Sequence, residues 1–186
     1  MPFCPPRRRS TVRFRTAGAY VLMAGCLAVS SAGAAVRRVA LDPVMAHISY
    51  TAFAFGILPI PATFERFHGT IEQDLAHPSA CRLQVTVDVA SLHMADEQRR
   101  QQVLGPDMLD ASQFPTMRFS GGCQTASLNG TLTLHGVSRP LSLTMQRKGA
   151  EVNCVGTLVR RDFGILGMRA LVGQKVRIRL SVHLPP

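Results

Sequence analysis

From residue 48 to the end of the chain, apolar and polar residues alternate with a period of two, and this rhythm limits the fold more than any other feature. Cys81-Arg82-Leu83-Gln84-Val85-Thr86-Val87-Asp88-Val89 keeps it for nine residues, and Val176-Arg177-Ile178-Arg179-Leu180-Ser181-Val182 repeats it near the end. Only an extended strand sends alternate side chains to opposite faces, so each run predicts a strand with one face buried and one in water. The pattern, cut by Gly-, Asn- and Pro-containing turns, predicts eight strands: 48–55, 64–74, 81–89, 116–124, 131–134, 141–145, 151–160 and 176–182. A turn over 135–140 separates the fifth from the sixth. The exception is 91–110. There Ser91 is a candidate cap, the stretch Ala95–Leu104 is rich in helix formers, and Gly105-Pro106 stops it. Eight antiparallel strands with one helical insertion predict an all-β closed barrel, which removes exposed edges.

The first residues follow other rules. Arg7, Arg8, Arg9, Arg13 and Arg15 precede an apolar run centred on 17–29, which ends in small residues with Ala32-Gly33-Ala34 as an A-x-A site. A basic start, a short apolar core and a small-residue cleavage site predict a secretory signal peptide over 1–34, with the barrel over 35–186. The apolar run is shorter than the ~20 residues of a spanning helix. Leu22-Met23-Ala24-Gly25-Cys26 also matches a lipobox, so a lipoprotein anchored through Cys26 stands as the alternative to cleavage near Ala34. Both place the domain in the periplasm or outside the cell.

The leader also accounts for much of the charge. The chain has 21 Lys and Arg against 11 Asp and Glu, a formal net charge of +10. Without the five leader arginines, 16 basic residues face 11 acidic ones, an ordinary surface for a soluble domain. Most of the aromatics fall at alternating apolar positions rather than among the arginines, and no nucleic-acid motif occurs, so a nucleic-acid partner is not expected.

Recognisable chemistry is sparse. The six histidines never stand at i,i+2 or i,i+4 and form no H-E-x-x-H frame, and no C-x-x-C occurs, so no metal and no cofactor are expected. There is no G-x-S-x-G and no suggestive carboxylate pair, so no catalytic residue is expected. Asp162-Phe163-Gly164 lacks the other kinase segments and is expected to satisfy donors at a strand end. His135 is expected to bond its turn backbone. After the leader, Cys81, Cys123 and Cys154 remain, consistent with one disulfide and one free thiol.

Leu132-Thr133-Leu134-His135-Gly136-Val137-Ser138-Arg139-Pro140-Leu141 resembles the L-T-L-H-G-V-T-R-P-V segment of the YceI-like family. Leu41-Asp42-Pro43, Phe64-Glu65-Arg66-Phe67-His68-Gly69-Thr70-Ile71, Phe114-Pro115-Thr116-Met117-Arg118-Phe119 and Arg160-Arg161-Asp162-Phe163-Gly164-Ile165 resemble further family segments in the same order, over about residues 39–184. The resemblance implies a secreted, lipocalin-like barrel that binds polyisoprenoid or other lipids.

Alternation then names the inward positions: Ile48, Tyr50, Phe64, Leu83, Val85, Val87, Phe119, Leu132, Leu134, Leu141, Leu143, Met145, Ile178 and Leu180. Met94 and Met108, with Met117, lie near the helical insertion as a candidate lid. Such a lining accepts an alkyl or isoprenoid chain, but the same residues describe a filled core, because eight-stranded barrels are only just wide enough for their own side chains. The resemblance implies the cavity, and with it a non-catalytic holder of a polyprenyl or quinone-like lipid. The alternative is a packed barrel that partners a membrane redox or stress-response protein. Cys81 begins one strand and Cys123 ends the strand expected beside it, on the same inward parity. These two are therefore expected to be bonded, with Cys154 free.

Overall fold

The computed structural model describes residues 36–77 and 80–184. The expected leader over 1–34, with its cleavage site and Cys26, lies outside the described residues. Eleven antiparallel strands form one sheet: β1 (Val36–Leu41), β2 (Ala46–Ala54), β3 (Leu58–Phe64), β4 (Phe67–Asp74), β5 (Cys81–Asp88), β6 (Leu92–His93), β7 (Thr116–Gln124), β8 (Ser127–Leu134), β9 (Val137–Lys148), β10 (Glu151–Val159) and β11 (Lys175–His183). One helix, α1 (Glu97–Leu104), lies between β6 and β7.

Three strands escape the period-two rhythm, which is why eleven stand where eight are expected. β1 is Val-Arg-Arg-Val-Ala-Leu, held by its ladder to β4 rather than by an apolar face. β3 carries Pro59 and Pro61, whose missing N–H groups fall where the strand pairs with β2 alone. β6 is two residues long and pairs with Thr63 and Phe64. The expected single strand over 64–74 is broken at Glu65-Arg66. There Asp88 N–H donates to Arg66 O (3.0 Å) and Glu65 N–H donates to Ser91 O (3.2 Å).

The expected closed barrel is also corrected. The ladder runs β1-β4-β5-β7-β8-β9-β10-β11-β2-β3-β6, and its two end strands are not paired. The sheet is nonetheless curled. Four residues (42–45) join β1, first in the ladder, to β2, ninth; two residues (65–66) join β3, tenth, to β4, second. Such short connections bring the two sides of the sheet together. Asp42 shapes the longer one, its carboxylate accepting from the N–H groups of Val44 (2.9 Å) and Met45 (3.0 Å).

Local chemistry sets the remaining joints. His135 and Gly136 have φ of 51° and 71°, so β8 and β9 meet in a two-residue turn with both positions left-handed. The turn is thus shorter than the expected 135–140, and β9 runs straight through Pro140. The His135 ring donates from Nδ1 to Phe163 O (3.2 Å) and packs on Phe114, so it ties a neighbouring loop rather than its own turn. Asp96, not Ser91, caps α1, accepting from Arg99 N–H at 3.0 Å. Arg100 then docks the helix on β6, its Nε donating to Leu92 O (2.6 Å).

Candidate functional site

Inside the curl the inward side chains do not meet everywhere. A cavity of about 560 Å³ opens among them, within the ~300–1,000 Å³ usual for ligand pockets. Its wall is built by alternation: Ile48 and Tyr50 from β2, Val85 and Val87 from β5, Leu132 and Leu134 from β8, and Ile178 and Leu180 from β11. Phe64, Met108, Phe119, Leu141 and Leu143 complete the expected residues that line it, and Met117 lies there as well.

Leu83, Met94 and Met145 do not line the cavity. Leu83 and Met94 are buried in the packed core, and Met145 packs against it. Parity sends Leu83 and Met145 inward, but they fall where the interior is full. Leu128, 1% exposed, fills that end, and there Cys81 and Cys123 face each other across β5 and β7 and are disulfide-bonded, with Cα atoms 4.7 Å apart. Cys154 is a free, buried thiol, and burial pushes its pKa up to about 11. Phe119 marks the boundary. Its ring lies over the paired glycines Gly121 and Gly130, and a Cβ on Gly130 would come within 2.7 Å of Phe119 Cζ.

At the other end the cavity opens between the β2–β3 tip and the loop over 164–174. Phe55, Leu58 and Leu171 line it there while 70%, 60% and 48% exposed. Phe55 N–H donates to Leu171 O (2.9 Å), joining the two rims. Phe55 and Met168, both at the wall, hold left-handed backbone (φ 49° and 54°), an uncommon state for side chains of this size.

Three arginines also line the wall, Arg99, Arg118 and Arg160, and no Asp or Glu does. Arg160 is 4% exposed. It donates from Nε to Gly173 O (3.2 Å), from Nη1 to Gly167 O (3.1 Å) and Met108 Sδ (3.4 Å), and from Nη2 to Val172 O (2.9 Å). Burial lowers its pKa, and the Tyr50 hydroxyl opposes that shift. Tyr50 itself is pushed up to about 12 by burial, against the pull of Arg160. Sequence reasoning took Tyr50 only as an apolar contact and missed Arg160. The signal was present: Val152, Cys154, Gly156 and Leu158 set an inward parity on β10 that runs directly into Arg160. Among the described residues, no group of three His, Cys, Asp or Glu side chains could hold a metal ion.

The architecture and site together define a class: a curled, all-β sheet with one helix around an apolar pocket. A YceI-like domain matches residues 40–184, and the chain belongs to that family. It is 29% identical over 185 residues to a UPF0312 protein of Pseudomonas putida, covering 91% of this chain and 96% of that one. Burkholderia cenocepacia BcnA has the same fold, with a TM-score of 0.64 at 23% identity, over 76% of this chain and 98% of that one. So does a polyisoprenoid binding domain from Saccharophagus degradans implicated in plant cell wall breakdown, with a TM-score of 0.56 at 12% identity, over 80% and 98%.

Proposed function

We propose that this protein holds a long apolar lipid, a polyprenyl chain or quinone-like tail, in its cavity, and sequesters or carries it without bond chemistry. The observation that carries the reading is the cavity itself, walled by inward aliphatic side chains from β2, β5, β8 and β11. Burying about ten methylenes of a ligand contributes about 8 kcal/mol, which corresponds to micromolar retention before ordering costs. The Saccharophagus degradans relative of the same fold, named for polyisoprenoid binding, supports the same ligand class. The basic, apolar, small-residue order of 1–34 supports a site of action in the periplasm or outside the cell.

Native mass spectrometry of the protein from its natural host, followed by organic extraction, tests this. A co-purifying lipid of defined mass is expected. An apo mass that takes up neither polyprenyl nor quinone lipids would overturn it. Intact mass also reports the N-terminus: a chain beginning near Ala35 supports cleavage, and one beginning at a lipidated Cys26 supports the anchored form. The exposed rim of Phe55, Ile57 and Leu58 favours a membrane-protein partner for lipid hand-over.

A further inference from the structure

Resting on the lipid-binding reading, we infer that Arg160 and Tyr50 form a headgroup subsite, so that the preferred ligand is an amphiphile whose long apolar chain ends in an anion, a carboxylate or a phosphate monoester. An apolar cavity intended for hydrocarbon alone has no use for a buried guanidinium, because desolvating a charge is costly unless something pairs with it. Arg160 is 4% exposed, and among the described residues no carboxylate lies within ion-pair distance. Its contacts are three backbone carbonyls and the Met108 sulfur, a weak acceptor. One Nη2 hydrogen has no acceptor, and one Nη1 hydrogen has only sulfur.

Tyr50 adds a second donor. Its side chain lines the same cavity, its hydroxyl makes no hydrogen bond among the described residues, and the charge on Arg160 is felt at its oxygen. With its pKa pushed up to about 12, the phenol stays protonated at neutral pH and offers its O–H. The rest of the wall points the same way, since its only ionisable side chains besides these two are Arg99 and Arg118. Arg99 is ion-paired with Asp96 (3.5 Å), but no acid lies on the wall itself, and with Arg118 and Arg160 the wall repels a cationic head and attracts an anionic one.

Position completes the argument. The carbonyls that hold Arg160 belong to Gly167, Val172 and Gly173, in the loop whose Met168 and Leu171 line the open end. The guanidinium therefore sits toward the mouth, and the aliphatic depth lies beyond it toward Leu143 and Leu180. A head bound at the guanidinium leaves its tail pointing into the apolar interior. A charge-assisted hydrogen bond to a carboxylate or phosphate is short and strong.

The test uses the extracted, lipid-free full domain and a competition series of equal chain length, ending in a carboxylate, a phosphate monoester, an alcohol or a trimethylammonium group, read by native mass spectrometry. An anionic probe is expected to bind about ten-fold more tightly than the alcohol, with the ammonium weakest. Whether the carboxylate or the phosphate leads separates a free fatty acid from a lipid phosphate. Tyr50→Phe is expected to reduce the preference for the anion several-fold and to leave the alcohol unchanged. Arg160→Gln is expected to abolish the preference. Should that variant lose its fold, the probe series and Tyr50→Phe still decide. Equal binding of alcohol and anion would overturn the subsite and leave the lipid reading standing; binding of none would overturn both.

Discussion

The two ends of the barrel interior are built from the same alternation and behave differently. At one end, Leu83, Leu128, Met145 and Cys154 pack beside the Cys81–Cys123 bond. At the other, Leu132, Leu134, Leu158 and Ile165 stand apart around empty volume, and Phe55 and Leu171 reach solvent. Period two therefore tells which face of a strand looks inward, but not whether anything meets it there. That is decided by curvature, by where the sheet narrows, and by what crosses the end.

Removing side-chain volume sharpens the contrast most. Leu128→Ala, in the packed end, is expected to cost about 2–5 kcal/mol of stability, because it adds a void where none exists. Leu132→Ala, on the cavity wall, is expected to cost only the transfer part, about 1–3 kcal/mol. Equal costs in denaturant unfolding would break the comparison.

Next comes the disulfide. Replacing both Cys81 and Cys123 with Ala, across a sequence separation of 42 residues, is expected to cost about 2–4 kcal/mol and to lower the thermal midpoint. Lipid retention should persist, since neither residue lines the cavity. Gly130→Ala acts at the boundary: the added methyl meets the Ser120 carbonyl oxygen and Gly121 Cα of the paired strand as well as the Phe119 ring, and a loss of about 1–3 kcal/mol is expected in the same unfolding assay. Leu134→Trp should have the smallest effect on stability, under about 1.5 kcal/mol, because the new ring enters space already present. It should nevertheless prevent lipid uptake, as native mass spectrometry would record; undiminished uptake would place the ligand elsewhere.

Burial raises the Cys154 thiol to about 11, so at pH 8 the neutral, unreactive form prevails. Alkylation of the native protein is expected to be slow there, to quicken as pH rises toward 11, and to become fast at any of these pH values once the chain unfolds. Rapid modification of the native protein at pH 8 would show that the packed end is not packed.

Much of the fold was legible in the chain. The alternating runs gave β5, β7 and β11 nearly to the residue, and Gly105-Pro106 ended α1 as expected. What was not legible has physical causes. β3 hides behind Pro59 and Pro61, since a proline pair argues against any strand hydrogen-bonded on both sides, and this one is hydrogen-bonded over most of its length to β2 alone. β6 is too short to have a rhythm, and Arg100 supports it from the helix. The site divides in the same way. Its aliphatic wall follows from parity, whereas Phe55, Met168 and Leu171 come from turns whose approach is set by tertiary contacts. Arg160 was visible as an inward position, but a charge at a strand end reads as surface until the loop that folds over it is known.

The way the sheet closes has a consequence for the size of what it can hold. β3 and β4 are joined by two residues of chain and share no ladder of hydrogen bonds. A barrel hydrogen-bonded all round has a girth set by its strand number and stagger, and cannot widen without breaking bonds. Here the seam between β3 and β4 is bridged instead by the chain at Glu65-Arg66, whose backbone is bonded to Ser91 and Asp88. Beyond these bonds, side-chain packing rather than a continuous ladder holds the two strands together. A girth that no ladder fixes along this seam predicts a tolerant pocket: in native mass spectrometry, apolar probes that differ in branching or thickness are expected to bind alike, and strict selection by thickness would show the girth to be fixed.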